Sequence, residues 1–165
     1  MMTFKENLID LFSANLWATE ALFNIIPDRN MDIEIESSFN TIRKTWFHIW
    51  DANVIWMKRL NGESFVQASN NFNGTNEDLK LAICQSLQDF IDYLNKIEDS
   101  DLMLDLTYSN IKGVDFKQPI LFILNQLTHH NIFHRGQIIT MLRNSGFSGE
   151  IPQTDVIAWY RLFKV

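Results

Sequence analysis

Leu127–Gly146, LTHHNIFHRGQIITMLRNSG, keeps a helical pattern without a break and stops on its closing Asn-Ser-Gly. Within it His130 and His134 stand four residues apart, which puts them on one helix face. At 100° and 1.5 Å per residue, their rings are offset by roughly 40° around the axis and about 6 Å along it, so both reach one cation. A catalytic zinc-type ion usually takes three protein ligands and leaves one position to water. The chain holds 4 histidines. His129 points about 100° away from His130 and cannot easily join the pair. His48 lies in another strongly helical stretch, and facing helices can build a metal site in a bundle core.

His48 sits among Trp46, Ile49, Trp50 and Val54. Alone, such a residue reads as a neutral core imidazole bonded to a carbonyl or side chain. Beside a complementary pair on another helix it reads as a third ligand. Asp51, about 60° from His48 around the helix, is placed to hydrogen-bond a ligand or bound water, or else to serve as an ion-paired flank. Gln137, on the inner face with His130 and His134, is the other candidate for a ligand or substrate contact.

Working outward, the apolar spacing predicts four long helices. Thr3 caps the first, whose stripe runs from Phe4 to Ile26 until Pro27 stops it. After a polar connection from Asp28 to Glu36, Ser37 or Ser38 offers a cap for the second, which runs to about Leu60 and ends at Asn61 and Gly62. Residues 61–75, rich in Asn, Ser and Gly, are long enough to cross back along the second helix, which would let helices two and three run parallel. Thr75 or Asn76 opens the third helix, with an apolar stripe from Leu79 to Leu94 and no evident chemistry. Between Glu98 and Gln118 alternating residues and an Asn-Ile-Lys-Gly turn suggest a small hairpin. The fourth helix runs from Pro119 to about Asn144, and a short final helix follows Pro152, capped by Thr154. Gly136 in mid-helix points to the close approach of another backbone, of this subunit or of a second.

The fold expected is all-α: a four-helix bundle with a short C-terminal helix, in one domain spanning residues 1–165. With 46% hydrophobic and 21% charged residues, the chain has ordinary globular composition. A net charge of −6 gives no basic footprint for nucleic acid or an anionic membrane. Lys5, Glu6 and Asp10 interrupt the N-terminal apolar region, so no signal peptide is expected, and no stretch approaches a transmembrane span. The single Cys84 fits a reducing cytoplasm and reads as core filling rather than a nucleophile.

Four segments together resemble one family: NLWATEAL at 15–22, HIWDANVIWMKRLNG at 48–62, HHNIFHRGQIITMLRNSG at 129–146 and IPQTDVIAWYR at 151–161. They look like the DinB/YfiT-like family of small four-helix-bundle metalloenzymes. The resemblance implies an up-down-down-up bundle, a homodimer, and metal ligands at His48, His130 and His134. It implies a divalent transition metal, zinc or nickel, with a low-molecular-weight thiol as a possible co-substrate. Asn53 departs from the pattern, since many relatives carry Glu there, which puts any proton-transfer role of that position in doubt.

Two functions follow. The first is a divalent-metal-dependent enzyme acting on a small molecule, similar to the thiol S-transferases or hydrolases of that superfamily, in which the ion acidifies a bound thiol or water. The second is a non-catalytic metal- or ligand-binding helical bundle serving dimeric or stress-response interactions. No Ser-His-Asp motif, phosphate loop or dinucleotide fingerprint supports another chemistry.

Overall fold

A computed structural model describes residues 2–64, 67–110 and 112–165. It is mostly helical, with one small two-stranded sheet: α1 Phe4–Phe23, α2 Ile42–Leu60, α3 Asn76–Lys96, β1 Asp105–Ser109, β2 Asp115–Pro119, α4 Ile120–Asn144 and α5 Val156–Phe163. Two capping boxes start helices where the sequence offers Thr followed three residues on by an acid. Thr3 and Glu6 exchange side-chain and backbone bonds at α1, and Thr75 and Asp78 do so at α3.

Helix α2 begins later than Ser37 or Ser38 predicts. Its cap is Thr41, whose hydroxyl accepts from the Lys44 N–H. The two serines belong instead to a bent segment held by its own hydrogen bonds: the Ile35 N–H donates to the Asn40 carbonyl (2.8 Å) and the Asn40 N–H to Ser37 Oγ (3.1 Å). Asn40 has φ +61°, and the Thr41 N–H reaches back to the Phe39 carbonyl at 2.8 Å. A bond across two residues with positive φ between them is a γ-turn of the uncommon hand, worth on the order of 1–3 kcal/mol of strain. The Ser37 hydroxyl that serves this bend is not free to cap, and the helix starts after the bend.

Helix α1 packs against α3 and α4, and α2 packs against the same two. Aromatic stacks lie inside: Phe12 on Phe90 with centroids 4.7 Å apart, and Phe23 on Trp46 at 4.3 Å. Leu22, Ile42, Ile83, Leu87, Leu124 and Leu142 are buried around them. Each such side chain removed from water contributes roughly 1.5–3 kcal/mol.

The long connection after α2 runs back along that helix. Its 3-10 turn, Ala68–Asn71, is tied down where Ser69 donates to Asp51, and Phe72 then meets Phe47 and Trp50 edge-on at 5.5 and 5.6 Å. The predicted hairpin exists, pairing Asp105 with Pro119 and Ser109 with Asp115. It starts after Leu104, because residues Asp99–Met103 form a 3-10 turn that buries Leu102. Of its expected turn, Ile111 lies outside the described residues. At α5 the N-cap position is Asp155 rather than Thr154, and its side chain makes no capping bond. No backbone of the described chain approaches Gly136: a Cβ there would meet nothing within 4 Å. No helix is long and apolar enough to cross a membrane among the described residues.

Candidate metal centre

Helix α2 contributes His48 and helix α4 contributes His130 and His134, and the three imidazoles converge where these helices pack. Their ligand-capable nitrogens all lie within 4.8 Å of one another. Ring centroids are 4.8 Å apart for His48 and His130, 4.6 Å for His48 and His134, and 4.3 Å for His130 and His134. His129, as its register requires, is exposed elsewhere on α4.

The closest pair is His48 Nε2 and His130 Nε2, at 2.9 Å. Two lone pairs at that distance repel, so a proton or a cation belongs between them. Two nitrogens bound tetrahedrally to a zinc-type ion stand about 3.3 Å apart, a small adjustment from this geometry. His134 Nδ1 lies 2.7 Å from Gln137 Oε1. The amide oxygen only accepts, so the neutral ring donates from Nδ1 and keeps the lone pair on Nε2. His130 Nδ1 is buried without a hydrogen-bond partner.

Burial keeps all three rings in the form that binds metal. It holds the His48 pKa below the usual imidazole range, helped by the charge His134 would carry and opposed by Asp51. Burial, then His134 and His48, push His130 down to about 4. His134 is lowered by burial, against its hydrogen bond to Gln137. At neutral pH the cluster is therefore uncharged, as metal ligation by imidazole requires.

The two predicted auxiliary residues have different places. Gln137 touches the cluster directly and lines an adjoining cavity of about 350 Å³ with Glu36, Ser37, Phe133, Gly136 and Thr140. Among the described residues Asp51 makes no hydrogen bond to the histidines: its carboxylate accepts from the Ser69 N–H at 2.9 Å and from the Ser69 hydroxyl at 2.5 Å. Its charge still acts on His48 through space. Asn53 is fully buried, donating to Ser86 Oγ and accepting from Asn131 Nδ2, both at 3.1 Å. These neutral side chains tie α2, α3 and α4 together.

Sequence reasoning missed three contributors. Phe39 lies on the His48 ring with centroids 4.3 Å apart and meets His134 edge-on at 5.5 Å. Asn131 completes the amide network, and its place one turn from the apolar Leu127 and Leu124 side of α4 was the available signal. Arg135, next to His134 but turned about 100° around α4, is buried and donates to Asn15 Oδ1 at 2.8 Å. Burial draws its pKa down to about 10, opposed by Asp155. Cys84 is half-buried and away from chemistry: burial, then Glu20 and Glu77 against Lys80, raise its thiol to about 12. Along the same two helices, Trp56, Tyr108, Phe122 and Gln126 help line a second cavity of about 550 Å³, with Gln126 one turn before His130.

The fold and sequence have relatives. The chain is 23% identical over 149 residues to Protein DinB of Bacillus subtilis (strain 168), covering 84% of this chain and 86% of that one. A DinB-like protein from Bacillus cereus ATCC 10987 superposes with a TM-score of 0.71 at 18% identity, over 90% of this chain and 95% of that chain. A second DinB-like protein, YjoA from Bacillus subtilis, does so at 0.67 and 15% identity, over 90% and 98%. The DinB family model itself matches residues 1–159, and on that match the chain belongs to the DinB family.

Proposed function

We propose that His48, His130 and His134 hold a divalent transition metal ion, zinc or nickel, and that the protein is a metal-dependent enzyme transferring a low-molecular-weight thiol or hydrolysing a small molecule. The observation that carries this reading is the convergence of three neutral imidazoles, His134 buried and the other two partly so, with the Nε2 atoms of His48 and His130 2.9 Å apart. When bound, such an ion acts as a Lewis acid and lowers the pKa of a coordinated thiol or water. The chain's own residues prepare for it. Gln137 fixes the His134 tautomer, burial disfavours competing protons, and the cavity that Gln137 lines gives a small substrate room.

The reading extends to the architecture and assembly. A single domain, built as a four-helix bundle in up-down-down-up order, is supported by the pairing of α1 and α2 each with α3 and α4, and by a connection that returns along α2. A homodimer in the cytoplasm, with neither nucleic acid nor membrane as partner, fits the acidic charge and the exposed side of α4 around Phe133 and Gly136.

The test is metal content by mass spectrometry on untagged protein from metal-supplemented medium, beside a His130→Ala/His134→Ala variant whose helicity is checked. About one ion per chain, lost from the folded variant, is expected. No metal in the wild type, or equal metal in both, overturns the site. Metal without turnover across thiol-transfer and hydrolysis panels moves the protein to the class of metal-binding modules. His48→Ala should abolish any activity found while leaving the fold.

A further inference from the structure

We infer that Phe39 is a positioning residue of the histidine centre, presented by the γ-turn at Asn40 so that its ring fixes the plane of His48 and covers the edge shared with His134. This rests on the metal-site reading above and adds to it a residue that is neither a ligand nor hydrogen-bonded to one.

A metal-binding imidazole needs its ring held, and the usual device is a hydrogen bond to the nitrogen that does not bind the ion. His134 has that device in Gln137. His48 does not: among the described residues no hydrogen bond reaches its Nδ1. What it has is Phe39, whose ring lies within 24° of parallel to the imidazole at a centroid distance of 4.3 Å. The lone pair of an imidazole nitrogen lies in the ring plane. A ring stacked on the face therefore restricts rotation while leaving Nε2 free toward His130. The same phenyl meets His134 at 5.5 Å and 66°, so one side chain contacts ligands from both helices.

The backbone is shaped for this presentation. The Ile35 to Asn40 bond, the Ser37 hydroxyl and the Thr41 to Phe39 bond all pin the segment directly before α2. Asn40 takes the left-handed conformation, with φ +61°, one residue after the phenyl. Asn tolerates that region better than most residues with a side chain. Uncommon backbone conformations of this kind persist where the surroundings hold them, often beside functional sites.

The experiment measures zinc affinity by competition with a chromophoric chelator for wild type, Phe39→Ala, Phe39→Leu and Phe39→Tyr. It also records the visible absorption of each protein loaded with cobalt(II). Alanine and leucine, lacking a flat face, are expected to weaken zinc by roughly 10- to 100-fold, as losing an outer orienting group does. Tyrosine should restore near-wild-type affinity, and only the first two should alter the cobalt spectrum. A metal-free arm follows carbethoxylation by diethyl pyrocarbonate, with His129 as internal reference. His48 should react several-fold faster in Phe39→Ala. Unchanged zinc affinity and an unchanged spectrum in folded Phe39→Leu overturn the proposal. If the wild type binds no zinc, the metal reading fails by itself, and the metal-free arm decides whether Phe39 holds His48: an unchanged His48 rate overturns that too. Should Phe39→Ala not fold, the leucine and tyrosine variants carry both arms.

Discussion

The seam between α1 and α3 and the seam between α2 and α4 are built from similar helices to opposite ends. In the first, Phe12 stacks on Phe90, and no buried side-chain hydrogen bond crosses it among the described residues. In the second, His48 faces His130 and Asn53 pairs with Asn131, so polar groups occupy positions an apolar core would fill more safely. A buried polar group is costly unless satisfied, so a protein places such groups where something else requires them. The first seam holds the molecule together, and the second uses that stability to hold titratable rings partly out of water.

Cutting the first seam should have the largest effect. Phe90→Ala removes a fully buried ring and is expected to cost about 3–5 kcal/mol in denaturant unfolding while leaving metal content per folded chain unchanged. A simultaneous loss of metal would show that the seams are not independent.

The pH dependence of the metal-free protein sharpens the contrast. His130 titrates near 4 when folded against 6.5 ordinarily, and His48 and His134 are shifted the same way. The unfolded chain therefore binds protons first, so stability present above 6.5 is lost as pH falls toward about 4. His130→Ala should flatten that slope in thermal melts across the window, whereas Phe90→Ala should lower the whole curve without changing it. Equal slopes in wild type and His130→Ala would mean that the rings are not held neutral by burial.

The smallest effect belongs to the outer side of α4. Gly136→Ala places a methyl in open space and should raise stability by up to about 1 kcal/mol. A destabilisation that grows with protein concentration, or a changed sedimentation coefficient, would instead place a second chain's backbone against that glycine.

Much of the frame is local in sequence and so can be read there. Thr3 with Glu6 and Thr75 with Asp78 announce helix starts within four residues. His130 and His134 declare their shared face by spacing, and His48, in an apolar helical stretch, reads as a third ligand beside such a pair, as the resemblance also implies. What stayed hidden depends on distant partners. Ser37 and Ser38 look like caps until the bend that contains them, and that uses the Ser37 hydroxyl, is seen. Phe39 reads as a core residue of the next helix, and nothing in its neighbours reports a γ-turn. Arg135 meets Asn15 across 120 residues, beyond any periodicity. The amides at Asn53 and Asn131 are individually ordinary and acquire meaning only as a pair.

The Asp51 clamp on Ser69 also has a consequence for the chain as a polymer. A tether of fifteen residues loses entropy when its ends are fixed, and that loss grows only slowly with length. Holding Ala68–Asn71 beside α2 leaves only 72–75 between that anchor and α3, a short span with few conformations left to sample. A stretch that reads as the loosest part of the sequence is thereby converted into a second, shorter strut laid along the helix that bears His48.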